Sequence, residues 1–253
     1  MLKANLSDRI VVLTCSEKVS TNIVEKLGPL AGQCHLLPTI KIGIKTESSR
    51  LQKMIRSIEA GDFDWVVASS AYSAESLSLN GFNKDLVSTD LAVVGPKTAA
   101  AFVGIGWPTA FVPTEYSAAE FIKQFPEPVR RASKVLVIQG NLATEEIKVG
   151  LEAKGYITDQ VVAYETSAHR YSQQALEKNL KVLSKSEIIC FTSPSTVENF
   201  VNQFGSDSVP KSVISIGPAT SESLKSFGIN IFSQAAVSSD QGIVDVIHHL
   251  LRS

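Results

Sequence analysis

Short β-branched apolar runs alternate along this chain with longer segments whose apolar residues recur every three or four positions. The runs are too short for buried helices and read as strands, whereas the spaced segments gather their apolar residues on one helical face. One set of five predicted strands covers 10–13, 34–37, 188–191, 213–216 and 230–232, and a second set covers 65–68, 91–94, 109–112, 135–138 and 158–162. Helical spacing occurs over 20–27, 51–60, 143–154, 195–204 and 241–251. Strands apolar on both faces that alternate with helices belong to parallel sheets covered on each side, so the fold class is α/β.

The pattern is duplicated. Val93-Val94-Gly95-Pro96-Lys97-Thr98 returns as Ser215-Ile216-Gly217-Pro218-Ala219-Thr220, and each copy reaches a further glycine at the same distance, Gly106 and Gly228. The copies lie too far apart for a solenoid unit of ~20–50 residues and predict two similar domains. Upstream, Trp65-Val66-Val67-Ala68-Ser69-Ser70 matches Ile188-Ile189-Cys190-Phe191-Thr192-Ser193. Downstream, Pro113-Thr114-Glu115-Tyr116-Ser117-Ala118 and Ala235-Ala236-Val237-Ser238-Ser239-Asp240 both lead into a helix.

The remaining strands are permuted. Ile10-Val11-Val12-Leu13-Thr14-Cys15 matches Lys134-Val135-Leu136-Val137-Ile138-Gln139, but the first precedes its set and the second follows the Ser/Thr loop of its own. A chain that obeys this order starts one lobe, leaves it near Pro38, builds all of the second, and returns near Tyr164 to complete the first. The expected division is 1–38 plus 168–253 for a discontinuous first lobe and 39–167 for an inserted second one, with the polar stretch 165–169 as a connection.

Composition narrows the function classes. Lys and Arg number 24 against 25 Asp and Glu, so a formal net charge of −1 gives no basic surface for nucleic acid or anionic membrane. Residues 1–6 lack the apolar core of a leader, and no later run approaches the ~20 apolar residues of a spanning helix, so a cytoplasmic chain is expected. Cys15, Cys34 and Cys190 lie in or beside apolar runs without ligand spacing, and the four histidines form no set. The cysteines are expected to be buried thiols, and no metal is expected.

Ligands of open parallel sheets sit outside the carboxyl ends of the strands, where the repeated motifs fall. In Gly-Pro-x-Thr, glycine admits close approach to the backbone, proline begins a helix, and the free N–H groups that follow face outward at the positive end of the helix dipole. Several such ends can hold a polyanion without a basic surface. The same residues also suit plain helix capping, as do Ser69-Ser70 and Ser193-Pro194-Ser195.

Taken together, Thr192-Ser193-Pro194-Ser195, both Gly-Pro-x-Thr turns, Gly140-Asn141 and Val162-Ala163-Tyr164-Glu165-Thr166 resemble the uroporphyrinogen-III synthase family over nearly the whole chain. The resemblance implies two flavodoxin-like lobes with parallel five-stranded sheets and two interlobe crossings. It also implies a cofactor-free lyase that closes hydroxymethylbilane to uroporphyrinogen III with loss of water and inversion of the last pyrrole ring; nothing in the sequence requires more than a monomer. In its mechanism hydroxide leaves the hydroxymethyl carbon, an azafulvene forms, and a spiro intermediate permits the inversion.

Tyr164 matches the family's tyrosine at the second crossing and is the acid candidate, since a phenol with pKa near ~10 is protonated at neutral pH. Against that stands a tyrosine that only packs its ring. For binding, the matching positions are Ser69, Ser70, Gly95, Thr98, Gly140, Asn141, Ser193, Ser195, Gly217 and Thr220, placed to share the eight carboxylates of the tetrapyrrole. The chain departs from the family where Thr-Arg-Pro becomes Thr14-Cys15-Ser16 and Arg-Gly becomes Gln139-Gly140. Loss of those arginines keeps open a noncatalytic bilobed module that binds a small anionic or tetrapyrrole ligand. Nucleotide motifs are absent.

Overall fold

The computed structural model describes residues 9–252; the expectation placed on residues 1–6 lies outside them. In chain order the elements are β1 (Val11–Leu13), α1 (Glu17–Leu27), β2 (Cys34–Leu36), β3 (Ile40–Ile44), α2 (Ser49–Glu59), β4 (Trp65–Ala68), α3 (Ala71–Leu79), β5 (Asp90–Val93) and α4 (Pro96–Gly104). There follow α5 (Ala118–Gln124), β6 (Lys134–Gly140), α6 (Glu146–Ala153), β7 (Ile157–Ala168), α7 (Gln173–Leu183), β8 (Ile188–Phe191), α8 (Pro194–Phe204), β9 (Ser212–Ser215), α9 (Pro218–Ser226), β10 (Ser233–Gln234) and α10 (Asp240–Arg252).

The chain divides into two compact units: unit 1 from Met1–Lys41 with Ser167–Ser253, and unit 2 from Ile42–Thr166. There are two five-stranded sheets, ordered β10-β9-β8-β1-β2 and β3-β7-β6-β4-β5. In the first, β1 pairs in parallel with β2 and β8, and β9 with β8 and β10. In the second, β4 pairs in parallel with β5 and β6, and β6 with β7.

Alternation along these strands explains why they need helices on both faces. In unit 2, Val66, Ala68, Leu91, Val93, Leu136 and Ile138 pack with α2, α3 and α4 residues such as Leu51, Ile55, Leu77 and Phe102. The intervening Val67, Ala92, Val135 and Val137 meet Phe121, Phe125, Ile147 and Leu151 from the other side. Unit 1 repeats this scheme: Val11, Leu13, Ile188 and Cys190 face Ile23 and Ile243, whereas Val12, Ile189 and Phe191 face Val197, Phe200 and Leu224. Each fully buried aliphatic side chain contributes about 1.5–3 kcal/mol before the entropy of ordering is set against it. A helix start is fixed where its cap is present; Ser48 accepts from the Leu51 N–H at the beginning of α2.

Three expectations need correction. The run 109–112 forms only a single bridge, Ala92 to Phe111, because Pro108 and Pro113 flank it and remove ladder donors. The last strand of unit 1 lies at Ser233–Gln234 and not at 230–232, since only from there do residues enter the ladder with Ile214 and Ser215. The polar stretch expected as a connection at 165–169 continues β7 as far as Ala168, beside an edge strand, β3, that polarity patterning had not marked. β7 lies between β3 and β6, and its ladder partners carry it through the polar Glu165 and Thr166.

Candidate functional site

Because the pairings are parallel, the carboxyl ends of β4, β5, β6 and β7 fall at one edge of the unit 2 sheet. Ser70, Gly95, Gly140 and Tyr164 therefore share that rim. The ladder is regular from Lys134 to Gln139, then shifts so that Gly140 pairs with Tyr164. The Tyr164 ring lies directly on Gly140: a Cβ there would stand 2.5, 2.7 and 2.9 Å from its Cε2, Cζ and hydroxyl oxygen. Asn141 fastens the two strands beyond this point. Its N–H donates to the Tyr164 carbonyl at 3.2 Å, its amide donates to the Thr166 carbonyl at 3.1 Å, and its Oδ1 accepts from the Thr166 N–H at 2.7 Å.

Burial raises the Tyr164 phenol above its ordinary value of 10.0, opposed by hydrogen bonding with the Ser70 hydroxyl and the Gly140 backbone. The group is therefore a neutral acid at physiological pH, with its oxygen held by two polar neighbours. Ser70 also caps α3 by accepting from the Tyr72 N–H at 3.3 Å. The ring of Tyr72 meets that of Tyr164 at 5.5 Å between centroids, tilted by 42°. Ser69 is exposed.

At the end of β5, Gly95 is the N-cap of α4 and supplies no side chain to its first turn. The group that approaches this glycine is Tyr116, whose Cβ and Cγ stand 3.7 and 3.8 Å from where a Cβ would be. Thr98 is buried in the first turn, so a ligand there would meet backbone and the exposed Pro96 and Lys97.

Unit 1 has a rim of the same construction and different chemistry. Ser193 caps α8 in a capping box with Thr196, and its hydroxyl is 2.9 Å from that of Ser195. Gly217 is the N-cap of α9, again without a side-chain cap, and a Cβ on it would run into the Ser238 hydroxyl. Thr220 is buried like Thr98. The Thr39 hydroxyl lies 3.1 Å from the Thr14 carbonyl and 3.0 Å from that of Thr196, tying β1, β2 and α8 together.

The geometry thus assembles Ser70, Gly140, Asn141 and Tyr164 around one phenol, and places Gly95 with Thr98, and Gly217 with Thr220, at uncapped helix starts. Ser193 and Ser195 form a cap within unit 1. Sequence reasoning missed Tyr72 and Tyr116; the signal was their position, two residues after the Ser70 cap and just before the Ser117 cap. At the two positions departing from the arginine pattern, Cys15 is 1 % and Gln139 5 % exposed, so neither side chain offers itself to a ligand. Burial pushes the Cys15 thiol up to about 11, and it shares its site with the Ser20 hydroxyl at 3.1 Å. Cys190 is buried as expected, but Cys34 is partly exposed. Among the described residues no group of three or more His, Cys, Asp or Glu is arranged to hold a metal, and no helix is long and apolar enough to cross a membrane.

Comparison with known proteins agrees in sequence and fold. A family model described as uroporphyrinogen-III synthase HemD matches residues 21–245. A uroporphyrinogen-III synthase of Synechococcus elongatus is 30 % identical over 235 residues, covering 87 % of each chain, and a chloroplastic one of rice is 23 % identical over 251 residues, covering 96 % of this chain and 81 % of the relative. Among solved structures, a mutant uroporphyrinogen III synthase of Thermus thermophilus superposes with a TM-score of 0.65 at 14 % identity, covering 97 % of this chain and all of that one. The Helicobacter pylori enzyme also gives 0.65, at 17 % identity, over 96 % of this chain and 99 % of that one. The structures speak for the α/β fold with its two five-stranded, mostly parallel sheets, and the sequence matches carry the assignment: this chain belongs to the uroporphyrinogen-III synthase family.

Proposed function

We propose that the chain closes hydroxymethylbilane to uroporphyrinogen III and water, with Tyr164 as the acid that starts the reaction. Membership of the family makes it a cyclising lyase of tetrapyrrole biosynthesis. The phenol gives its proton to the departing hydroxyl as the carbon–oxygen bond breaks and the pyrrole nitrogen takes up the positive charge. Attack by the opposite terminal ring forms the spiro intermediate, which fragments and recloses with the last ring inverted. The proton released as that ring regains aromaticity returns to the phenolate, so the sum is loss of one water.

One observation carries this reading: Tyr164 is a neutral, partly buried phenol laid on Gly140 with its oxygen held by Ser70. Those two neighbours stabilise the phenolate while it waits for its proton. The carboxylates of the substrate are assigned to the helix starts at Gly95 and Gly217, whose N-cap glycines bring no side chain to the first turn, with Ser69, Thr98, Asn141, Ser193, Ser195 and Thr220 at the same rims. Such an end is worth about 0.3–1 kcal/mol to an anion at an exposed site, and several act together.

Each unit is also read as a flavodoxin-like lobe. Counted within unit 1 alone, the strand order β2-β1-β8-β9-β10 becomes 2-1-3-4-5, the doubly wound order of that fold. The chain passes between the units twice, at Lys41 to Ile42 and at Thr166 to Ser167, which supports two interlobe crossings.

Freshly prepared hydroxymethylbilane is supplied to the protein, and the products are oxidised and separated into type I and type III porphyrins. Wild-type protein yields type III above the protein-free control, and Tyr164→Phe lowers its rate by about 100-fold or more, the range of a lost general acid. Type I alone from the wild-type protein overturns the synthase reading, and an unchanged rate in Tyr164→Phe removes the phenol from the mechanism.

A further inference from the structure

The two ladders correspond strand for strand, and their rims differ systematically. Ala68 pairs with Val93 and Phe191 with Ser215, so Ser70 matches Ser193, Tyr72 matches Ser195 and Gly95 matches Gly217. Over those matched glycines lie Tyr116 in unit 2 and Ser238 in unit 1. On the other side, Val67 pairs with Val137, which pairs with Gln160, just as Cys190 pairs with Leu13, which pairs with Leu36. Following both strands past the bulge after Gln139 sets Tyr164 against Thr39. At three matched rim positions, then, unit 2 carries tyrosine where unit 1 carries a small hydroxyl residue.

The chain has only 5 tyrosines, and three of them meet this one sheet edge. Packing within unit 2 does not account for all three. Tyr116 is 61 % exposed, and Tyr72 is partly exposed while it lies against Tyr164. Side chains of this kind present flat electron-rich faces at the surface, suited to other rings and to delocalised cations. At two of the matched places in unit 1 the hydroxyl is engaged within the unit: that of Thr39 with the Thr14 and Thr196 carbonyls, and that of Ser195 with the Ser193 hydroxyl.

We propose that Tyr72 and Tyr116 are specificity-determining residues whose rings receive pyrrole faces of the substrate at the unit 2 rim, leaving its carboxylates to the uncapped helix starts. The proposal rests on the synthase reading and adds to it how ring orientation is chosen: Tyr164 protonates the departing hydroxyl, and Tyr72 and Tyr116 hold the rings around it. A substrate with four pyrroles and eight carboxylates presents both chemistries, and a rim made of hydroxyls alone would recognise only the second.

The test begins with wild-type protein, whose formation of type III porphyrin establishes the underlying reading independently. Tyr72→Ser and Tyr116→Ser place the unit 1 residue at each matched position, Tyr72→Phe and Tyr116→Phe keep the ring without its hydroxyl, and Tyr72→Leu keeps bulk without aromaticity. The Ser and Leu variants are expected to raise KM by about tenfold, the order of a lost aromatic contact, and to increase the type I fraction, with the pH profile of turnover unchanged. The Phe variants retain KM and product ratio. A merely structural tyrosine would lower the thermal midpoint without changing the isomer ratio, and that result overturns the proposal. So does a KM and isomer ratio equal to wild type in the Ser and Leu variants, or damage from Phe as great as from Ser.

Discussion

Unit 1 and unit 2 use the same turn at the ends of equivalent strands, yet what rests on the turn differs. Gly217 is covered by the hydroxyl of Ser238, whereas Gly140 is covered by the ring of Tyr164 and Gly95 is approached by Tyr116. Glycine at these places thus has a third-body reason for being glycine. It does not relieve backbone strain, because Gly95 and Gly217 have extended conformations open to other residues. It makes room for a neighbour, and in unit 2 that neighbour is aromatic.

Replacing each glycine by alanine breaks this comparison most directly. Gly140→Ala should have the largest effect, because its Cβ meets three atoms of a ring carried by the neighbouring strand. Overpacking of this kind costs about 1–3 kcal/mol, and displacement of the phenol should lower turnover by about 100-fold. Gly217→Ala meets only the end of a serine, which can change rotamer, so a loss below about 1 kcal/mol is expected. Gly95→Ala makes ordinary contacts with Tyr116 and should be milder still. Thermal midpoints and turnover on hydroxymethylbilane for the three variants would reveal a different ranking, which would mean that the ring on Gly140 is loosely held.

The hydroxyls of unit 1 sharpen the comparison from the other side. Thr39 is fully buried and bonds to the Thr14 and Thr196 carbonyls, so Thr39→Val leaves a buried acceptor unsatisfied and should cost about 1–3 kcal/mol in chemical denaturation. Ser193→Ala removes one half of the α8 capping box and should cost about 1 kcal/mol. Equal stability of Thr39→Val and wild type would show that this hydroxyl does not bind β1, β2 and α8 together.

Much of this was legible in the sequence because apolar runs and repeated turns are local signals. The strands at Trp65–Ala68 and Ile188–Phe191 and the helix starts at Gly95 and Gly217 follow from residues adjacent in the chain. What patterning did not show is long-range. The edge strand Ile40–Ile44 mixes exposed and buried residues and reads as a connection, and the extension of β7 through Glu165 depends on its partners. Of the site, Tyr164 and Gly140 could be named singly, but that one ring lies on the other residue is a fact of register and of the bulge after Gln139. Tyr72 and Tyr116 escaped because the repeat that aligns them with Ser195 and Ser238 does not show that one ring lies against Tyr164 and the other over Gly95.

A smaller effect separates the tyrosine assigned to chemistry from one that serves the fold. Tyr171, in unit 1, donates its hydroxyl to the Pro38 carbonyl at 2.9 Å, and burial pushes its phenol up to about 12. Its folded value lies above the unfolded one of 10.0, so its contribution to stability is complete below pH 10 and declines as pH rises toward 12. Tyr171→Phe should therefore cost about 1 kcal/mol at neutral pH and make unfolding less sensitive to alkali, with turnover unaltered. Tyr164 behaves differently in the same pH range. As an acid it works when protonated, and because its phenol is raised, the alkaline limb of turnover should lie above 10 and stay there in Tyr171→Phe. If that limb moves when Tyr171 is replaced, the alkaline loss of activity reports unfolding of the protein and not the ionisation of Tyr164.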